Sequence, residues 1–341
     1  MPRIAADALD STALLDIDEL RTHFFTHDGI VRAVDGVTLH IQPGETLGLV
    51  GESGCGKSVT AHSILRLLPP RSSRITAGRV RFRRRGGDTV DLAQIDPRGP
   101  LIRAIRGNEI AMIFQEPMTS LSPVHTIGAQ LAEVAQLHHG STKSDAYERA
   151  KQMLARVGIA NPGQRVYEYP HQFSGGMRQR AMIAMALMCD PRLLIADEPT
   201  TALDVTIQAQ ILELLKELQS QLGMAILLIT HNLGVIAELA HRVAVMYMGK
   251  VVEMADSATI FDEPMHPYTV GLLQSMPQLG KDVKVRLAAI PGSVPDPFSI
   301  PPGCSFYPRC LAPKKAACQG PESVPLTEVR ARHWVRCTQY Q

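Results

Sequence analysis

Residues 47–58 read Leu-Gly-Leu-Val-Gly-Glu-Ser-Gly-Cys-Gly-Lys-Ser and decide the fold. The apolar run at 47–50 predicts a buried strand, and residues 57–68 predict a helix that ends before Pro69. Between them, residues 51–58 fit the pattern G-x-x-x-x-G-K-[ST], whose glycines let backbone N–H groups surround phosphate oxygens. The following helix would add its positive N-terminal end. This stretch therefore predicts a phosphate-binding loop, or P-loop, between a strand and a helix.

We assign the whole loop to the phosphate site. Its members are Gly51, Glu52, Ser53, Gly54, Cys55, Gly56, Lys57 and Ser58. Lys57 is expected to neutralise charge on the β- and γ-phosphates, and Ser58 to bind Mg²⁺. Cys55 occupies a variable position of the pattern, so we interpret it as a space-filling residue and not as a nucleophile.

Two acidic residues follow a second apolar run. Residues 193–196 read Leu-Leu-Ile-Ala, a buried-strand pattern, and Asp197 and Glu198 come directly after it. Asp197 is expected to hold Mg²⁺, and Glu198 to polarise the attacking water as a general base. Taken alone, two acids here could also begin a helix or lie in a solvated turn. The P-loop favours the catalytic interpretation.

Strand and helix patterns alternate along most of the chain, which predicts an α/β fold with a parallel sheet. The segments are strands at 37–41, 47–50, 193–196 and 225–230, a hairpin at 78–92 turning at Gly86 and Gly87, and helices at 57–68 and about 205–221. Residues 119–190 are mainly helical in pattern. We therefore expect a P-loop NTPase core with a parallel sheet, an antiparallel β edge, a helical subdomain inserted at about 116–189, and a small irregular Cys-rich C-terminal extension.

Composition limits the classes of protein that remain. The chain has 341 residues, enough for one large domain with an appendage. Its 45% hydrophobic and 20% charged residues are ordinary for a globular protein, and a net charge of +2 does not require nucleic acid as a partner. The apolar runs are shorter than the roughly 18 residues that span a bilayer, and the first residues lack the layout of a secretory signal. We expect a cytosolic chain whose membrane role depends on another protein.

The predicted hairpin is rich in arginine. It contains Arg79, Arg81, Arg83, Arg84 and Arg85. Charged residues at a sheet edge prevent pairing with other strands, so we expect a solvated edge. Contact with anionic lipid and contact with nucleic acid are the alternatives.

Four of the six cysteines lie in the last 40 residues, where prolines also accumulate. They are Cys304, Cys310, Cys318 and Cys337, separated by 5, 7 and 18 residues. A small segment with little core often relies on a metal, and cytosolic cysteines are more often ligands than disulfides. The spacing lacks the paired C-x-x-C of zinc ribbons. From spacing alone, a metal site and free structural thiols both remain open.

Residues 173–180, Phe-Ser-Gly-Gly-Met-Arg-Gln-Arg, resemble the signature sequence of ABC ATPases, with Met177 where that family often has glutamine. Further positions match the same family in order. Gln115 follows an apolar run, Asp204 ends the sequence Ala-Leu-Asp, and His231 follows the strand at 225–230.

The resemblance implies ATP and Mg²⁺ as ligands and a head-to-tail dimer with each ATP between two chains. Ser174, Gly175 and Gly176 would then bind the ATP held by the partner's P-loop. Gln115 would contact Mg²⁺ and couple the site to a membrane partner. Asp204 would cross the dimer interface, and His231 would contact the γ-phosphate.

One position departs from the family pattern. ABC ATPases usually stack adenine on an aromatic residue ahead of the first long strand, and Asp28 aligns near that position. Phe24 and Phe25 lie slightly upstream and are the aromatic candidates.

The C-terminal part resembles the tail of oligopeptide and dipeptide importer ATPases at residues 266–269 and 290–310. This resemblance divides the chain into an ATPase domain at 1–264 and an extension at 265–341. It implies a [4Fe–4S] cluster on the four clustered cysteines, with zinc as the alternative. It also implies three kinds of partner: a second, usually different ATPase subunit, two transmembrane permease subunits and, indirectly, an extracytoplasmic substrate-binding protein. It places this chain itself at the cytoplasmic face of a bacterial inner membrane, as a peripheral subunit.

We therefore expect an ATP-hydrolysing subunit that powers uptake of dipeptides or oligopeptides. Nickel and glutathione are alternative cargoes, because relatives with such tails handle them. A soluble ABC ATPase acting on ribosomes or DNA is a further alternative. Such chains usually carry two ATPase units or a long coiled-coil insertion, whereas this chain has a single P-loop. No nucleic-acid partner is expected.

Overall fold

A computed structural model describes residues 12–115, 120–201, 203–275 and 290–341. The strands are β1 (Leu15–Thr26), β2 (Gly29–Ile41), β3 (Thr46–Val50), β4 (Ser73–Arg83), β5 (Thr89–Asp91), β6 (Ile110–Ile113), β7 (Leu193–Asp197), β8 (Ala225–Ile229), β9 (Arg242–Tyr247), β10 (Lys250–Asp256), β11 (Thr327–Arg330) and β12 (His333–Val335). The helices are α1 (Lys57–Ile64), α2 (Pro100–Ile105), α3 (Ile127–His139), α4 (Lys143–Arg156), α5 (Pro162–Arg165), α6 (Gly175–Leu187), α7 (Val205–Leu222), α8 (Leu233–Leu239), α9 (Ser257–Asp262) and α10 (Pro267–Gln274). Short 3-10 turns lie at Pro170–Gln172, Tyr307–Arg309, Ala316–Gln319 and Thr338–Tyr340.

Two sheets frame these elements. An antiparallel sheet has the order β2-β1-β4-β5, and a larger sheet has the order β11-β12-β10-β9-β3-β8-β7-β6. Strands β9, β3, β8, β7 and β6 are parallel, and β10 to β12 extend that sheet antiparallel. The carboxyl ends of β3, β7 and β8 therefore meet at one edge, where ligands bind in open α/β sheets.

The central strands are apolar runs because both faces of the large sheet are covered. Strands β3, β7 and β8 are buried at every position. On β7, Leu194 and Ala196 pack into a core shared with helices α3, α4 and α6. Leu193 and Ile195 point the other way, into a core shared with the antiparallel sheet. The structure confirms the predicted α/β core, its antiparallel edge and the inserted helices.

The first helix is shorter than predicted. The sequence pattern extends to residue 68, whereas α1 ends at Ile64 and Arg66 adopts a left-handed φ of 55°. A left-handed C-cap ends the helix there, in which the N–H groups of Arg66 and Leu67 donate to the carbonyl oxygens of Ser63 and His62 at 3.1 and 2.9 Å.

The arginine-rich hairpin turns where predicted but is bound to the protein and not freely solvated. Arg84 pairs with Glu109 at 2.8 Å, and Arg81 pairs with Asp16 at 2.8 Å. Arg85 donates to the carbonyl oxygen of Asp190 at 2.6 Å, just beyond α6. The expectation of a solvated edge is therefore wrong for these three arginines. Arg81 pairs within the antiparallel sheet, whereas Arg84 and Arg85 dock that sheet onto the segments just before β6 and just after α6.

The C-terminal extension adds strands to the large sheet. Strand β12 pairs with β10, and β11 pairs with β12. Glu253 on β10 is fully buried and accepts hydrogen bonds from His333 at 2.7 Å and from the backbone of Met265 and His266 at 2.7 and 2.9 Å. A buried carboxylate with this many donors ties the extension to the sheet.

Within the described ranges, none of the helices combines the length and apolarity that crossing a membrane requires.

Candidate nucleotide site and cysteine cluster

The predicted phosphate loop connects β3 to α1, and its glycines are enforced by close backbone contacts. Gly56 has a φ of 106° and caps the N-terminus of α1. A Cβ on Gly56 would lie 2.3 Å from the carbonyl oxygen of Ala33, and one on Gly51 would lie 2.2 Å from that of Met246. The loop therefore has its compact shape only with glycine at both positions.

Lys57 is buried inside this loop. Its ammonium group donates to the carbonyl oxygens of Gly51 at 2.7 Å and Glu52 at 3.0 Å. Ser53 and Gly54 lie at exposed positions, whereas Cys55 is 4% exposed. Burial raises the pKa of the Cys55 thiol, which agrees with a space-filling role.

Asp197 and Ser58 form a place that fits a divalent cation. The Ser58 hydroxyl bonds to the Asp197 carboxylate, whose Oδ1 is buried and lacks a partner among the described residues. Burial raises the pKa of Asp197, and the bond from Ser58 opposes that shift. A buried carboxylate oxygen without a donor beside a hydroxyl is the oxygen-ligand chemistry that Mg²⁺ prefers.

The Glu198 carboxylate contacts side chains from three parts of the chain. Its carboxylate accepts hydrogen bonds from Gln115 at 3.2 Å and Thr201 at 2.8 Å, and lies 3.1 Å from Nδ1 of His231. Its backbone takes a left-handed φ of 48°, a strained conformation for this residue type. Burial pushes the pKa of Glu198 up, but hydrogen bonds from His231 and Thr201 hold the pKa below its ordinary value. The carboxylate is therefore ionised at neutral pH and can accept a proton.

The signature residues form a second, exposed cluster. Ser174 caps α6 by accepting from the backbone of Met177 at 3.3 Å, and Asp204 caps α7 by accepting from Ile207 at 2.9 Å. A Cβ on Gly175 would lie 3.9 Å from Leu203, so the two helix starts are neighbours. A Cβ on Gly176 would lie 3.0 Å from Ile207. Ser174, Gly175 and Asp204 are at exposed positions.

Sequence reasoning missed several residues that hold these clusters. The Gln179 amide donates to the carbonyl of Pro199, linking α6 to the segment after Glu198. Tyr268 and Arg309 of the extension bind Glu52 in the phosphate loop. The sequence offered one signal for Arg309: it is a charged residue within the otherwise uncharged run at 304–310, where a specific partner could have been suspected.

The candidates for base stacking, Phe24 and Phe25, lie together near the end of β1, beside the turn that leads into β2. Asp28 pairs with His27 at an exposed position, and the guanidinium of Arg74 lies 5.7 Å from the centre of the Phe25 ring. The turn at Gly29 contacts another aromatic, Phe298 of the extension, whose Cδ1 would lie 3.3 Å from a Cβ on Gly29.

The four C-terminal cysteines line one cavity. They are Cys304, Cys310, Cys318 and Cys337, together with His266 and Phe306. Burial raises the pKa of Cys304 to about 11. The cavity measures about 20 Å³, room for about one water molecule. Within the described ranges, no three His, Cys, Asp or Glu side chains are arranged to hold one metal ion, so the expected zinc or iron–sulfur centre gains no support from ligand geometry.

Two family models match the chain. One, described as ABC transporter, matches residues 34–201, which include the P-loop, the signature and both acids. The other, described as oligopeptide/dipeptide transporter, C-terminal region, matches residues 252–318.

Similar proteins cover nearly the whole chain. A putative peptide import ATP-binding protein of Brucella melitensis is 52% identical over 333 residues, 96% of this chain and 97% of that protein. The dipeptide transport ATP-binding protein DppD of Bacillus subtilis is 52% identical over 297 residues, 87% of this chain and 86% of that protein.

Solved structures resemble the fold. A dimeric ATP-binding cassette in a post-hydrolysis state with ADP and Pi has a TM-score of 0.62 at 26% identity, covering 71% of this chain and 98% of that chain. CbiO1 of Clostridium perfringens, part of the ABC transporter complex CbiONQ, has a TM-score of 0.60 at 26% identity, covering 74% of this chain and 92% of that chain.

Proposed function

Because this chain belongs to the ATP-binding subunits of ABC transporters that carry the oligopeptide/dipeptide C-terminal region, we propose that its P-loop site hydrolyses ATP to power peptide uptake. The chain is the ATP-binding subunit of a peptide importer. The observation that carries the mechanism is the Glu198 carboxylate, held between Gln115, Thr201 and His231 beside the phosphate loop.

In this proposal the phosphate loop binds the ATP phosphates. Backbone N–H groups of residues 51–56 surround them, and the Lys57 ammonium group adds positive charge beside them. Ser58, Asp197 and Gln115 would hold Mg²⁺, which supplies positive charge beside the phosphates when bound. The buried, unpaired Oδ1 of Asp197 supports this assignment.

Glu198 accepts a proton from the attacking water. Its depressed pKa keeps it ionised, and His231 at 3.1 Å can contact the γ-phosphate while orienting the carboxylate. Thr201 fixes the other carboxylate oxygen, so the base is oriented before the reaction.

The exposed signature cluster is proposed to complete a partner's site. Ser174, Gly175 and Gly176 stand at the N-terminus of α6, where backbone N–H groups and the helix dipole attract phosphate. Asp204 begins the neighbouring helix and would lie at the same interface. The exposure of Ser174, Gly175 and Asp204 supports a head-to-tail dimer with another ATPase chain, which we propose to be a different subunit.

The remaining partners follow from the same family. We propose two transmembrane permease subunits, with the chain bound peripherally at the cytoplasmic face of a bacterial inner membrane, and a binding protein acting from outside. We also propose an ATPase domain at 1–264, with its helical subdomain at about 116–189, and an extension at 265–341. No role for nucleic acid is proposed.

ATPase turnover of the complex purified from membranes tests the cargo. We expect turnover to rise several-fold when the binding protein is supplied with dipeptides, because cargo delivery favours closure of the ATPase dimer. Nickel and glutathione, supplied in the same assay, are the controls for the alternative cargoes. Stimulation by nickel or glutathione and not by peptides would show that the chain serves a transporter of a different cargo. Recovery of the chain with ribosomes and not with membranes would contradict the proposal altogether.

We further propose a [4Fe–4S] cluster on the four cysteines, with zinc as the alternative. The convergence of all four thiols on one cavity supports a shared group. The cluster is preferred to zinc because the cysteine spacing lacks the paired C-x-x-C of zinc ribbons and because the importer family resemblance implies it. When bound, such a group would staple the proline-rich extension.

Replacing Cys304 by serine is expected to remove the cluster, because Cys304 is one of the four thiols that line the cavity. Iron and sulfide content and visible absorbance of anaerobically purified protein should fall to background, and the extension should become more sensitive to proteolysis. ATP binding should weaken but not be abolished. Serine at Cys189, a buried cysteine outside the extension, is the matched control. Stoichiometric zinc in the wild-type chain would select the alternative, and loss of ATP binding would contradict a structural role.

A further inference from the structure

The C-terminal extension grips the phosphate loop at Glu52. The Glu52 carboxylate accepts hydrogen bonds from both terminal nitrogens of Arg309, at 2.7 and 3.0 Å. The backbone N–H of Glu52 donates to the hydroxyl of Tyr268 at 2.9 Å. Side chain and main chain of one loop residue are thus held from outside the loop, and the two-point guanidinium contact fixes direction as well as distance.

These two anchors are themselves rigid. The Arg309 side chain is 5% exposed, and its Nε donates to the carbonyl of Pro291 at 3.1 Å. Tyr268 is fully buried and packs on Tyr247 with ring centroids 4.7 Å apart. The Arg309 guanidinium lies 5.9 Å from the centre of the same Tyr247 ring. A desolvated, packed ion pair of this kind constrains its partner far more than a surface salt bridge does.

Glu52 is connected to the phosphate-binding lysine. Lys57 donates to two consecutive carbonyl oxygens, those of Gly51 and Glu52. The first precedes the Glu52 N–H that Tyr268 holds, and the second belongs to Glu52 itself. Fixing the Glu52 backbone therefore fixes the acceptors of Lys57 and the direction of the neighbouring N–H groups. A phosphate site depends on these directions being set before the ligand arrives.

The residues that hold Glu52 are connected to the segment between Cys304 and Cys310. Arg309 ends the turn Tyr307–Arg309, which lies between Cys304 and Cys310. Phe306 in the same segment packs against Tyr247 and Tyr268, with ring centroids 5.3 and 5.4 Å apart. Order in this segment therefore determines whether Arg309 reaches Glu52.

We propose that Arg309 and Tyr268 are positioning residues for ATP, through which the extension sets the nucleotide affinity of the P-loop. The inference rests on the proposed function, because it takes residues 51–58 as the ATP site. Ordering of the segment between Cys304 and Cys310 raises ATP affinity. By linkage, ATP binding orders that segment to the same degree.

ATP affinity of the full-length chain, measured by displacement of a fluorescent ATP analogue, tests the proposal. Arg309→Met should lower affinity about 10-fold, equivalent to about 1.4 kcal/mol. Arg309→Lys, which keeps the charge and loses the two-point contact, should fall between wild type and Arg309→Met. In the assembled transporter, KM for ATP should rise in parallel while kcat at saturating ATP changes less than about twofold. Arg330→Met is the matched control, because Arg330 pairs with Glu263 at an exposed site of the same extension.

Two further measurements separate positioning from mere stabilisation. The losses caused by Arg309→Met and Glu52→Gln should not add in the double variant, because both remove one contact. ATP should protect residues 304–310 from proteolysis in wild type and not in Arg309→Met. A lower melting temperature in Arg309→Met with unchanged ATP affinity and KM would overturn the proposal, as would fully additive losses. Absence of ATP binding in the wild-type chain would instead overturn the proposed function. Arg309→Lys keeps the test decisive if Arg309→Met does not fold.

Discussion

Replacing Glu198 by glutamine should lower ATP turnover of the assembled transporter about 10²- to 10⁴-fold, the usual contribution of a general base. Glutamine has nearly the same shape and can still accept the hydrogen bond from Thr201, but it cannot take a proton from water. ATP binding should therefore remain within about threefold of wild type. Phosphate release and nucleotide binding, measured on the same preparation, check both parts.

Glu263→Gln is the control for this substitution, since Glu263 is an exposed glutamate paired with Arg330 and lies outside the site. It should leave turnover unchanged. Unchanged turnover in Glu198→Gln would mean that the second ATPase subunit performs the hydrolysis and that this chain contributes binding alone.

Substituting alanine for Gly56 should abolish measurable ATP binding and lower the free energy of unfolding by about 2–4 kcal/mol, from backbone strain plus a steric clash. The added Cβ would lie 2.3 Å from the carbonyl oxygen of Ala33, and the φ of 106° is unfavourable for alanine. Since the atom at 2.3 Å belongs to the backbone, the loop or β2 must move, and the shift of a flexible side chain cannot relieve the clash. Thermal melting and displacement of a fluorescent nucleotide measure the two effects.

Gly44→Ala is the control that separates the cost of backbone strain from the cost of the steric clash at Gly56. Gly44 has a φ of 72° but nothing within 4 Å of an added Cβ. It should cost only the backbone strain, about 1–2 kcal/mol, and leave ATP binding intact. Normal ATP binding by Gly56→Ala would show that the loop does not depend on its close contact with β2.

Local patterns were sufficient for the core of the fold. The glycine spacing of residues 51–58, the apolar runs of β7 and β8, and the two acids at the end of β7 predicted the P-loop and the parallel sheet. These signals are short in range, because each depends on one element and its end. The clustering of Gln115 and His231 around Glu198 came instead from the family resemblance, since the three residues follow three different strands.

Contacts between distant segments could not be predicted. Arg309 and Glu52 are 257 positions apart, and Arg85 and Asp190 are 105 apart. Each contact depends on the final packing of whole elements, and no periodicity or spacing encodes it. For the same reason, the charge of the hairpin arginines predicted solvent exposure, whereas the structure pairs Arg84 and Arg85 with acceptors outside the antiparallel sheet and Arg81 with Asp16 on a neighbouring strand.

The pairing of β12 with β10 also determines the order in which parts of the large sheet can form during synthesis. His333 follows its partner Glu253 by 80 positions, so β10 leaves the ribosome well before the strand that covers it. At 5–20 residues per second this interval is roughly 4–16 s. Hairpins form in about 1–10 μs, so the core sheet has ample time to assemble with an open edge. An uncovered strand readily pairs with another chain. The chain is therefore exposed to aggregation during synthesis until β12 is made and pairs with β10.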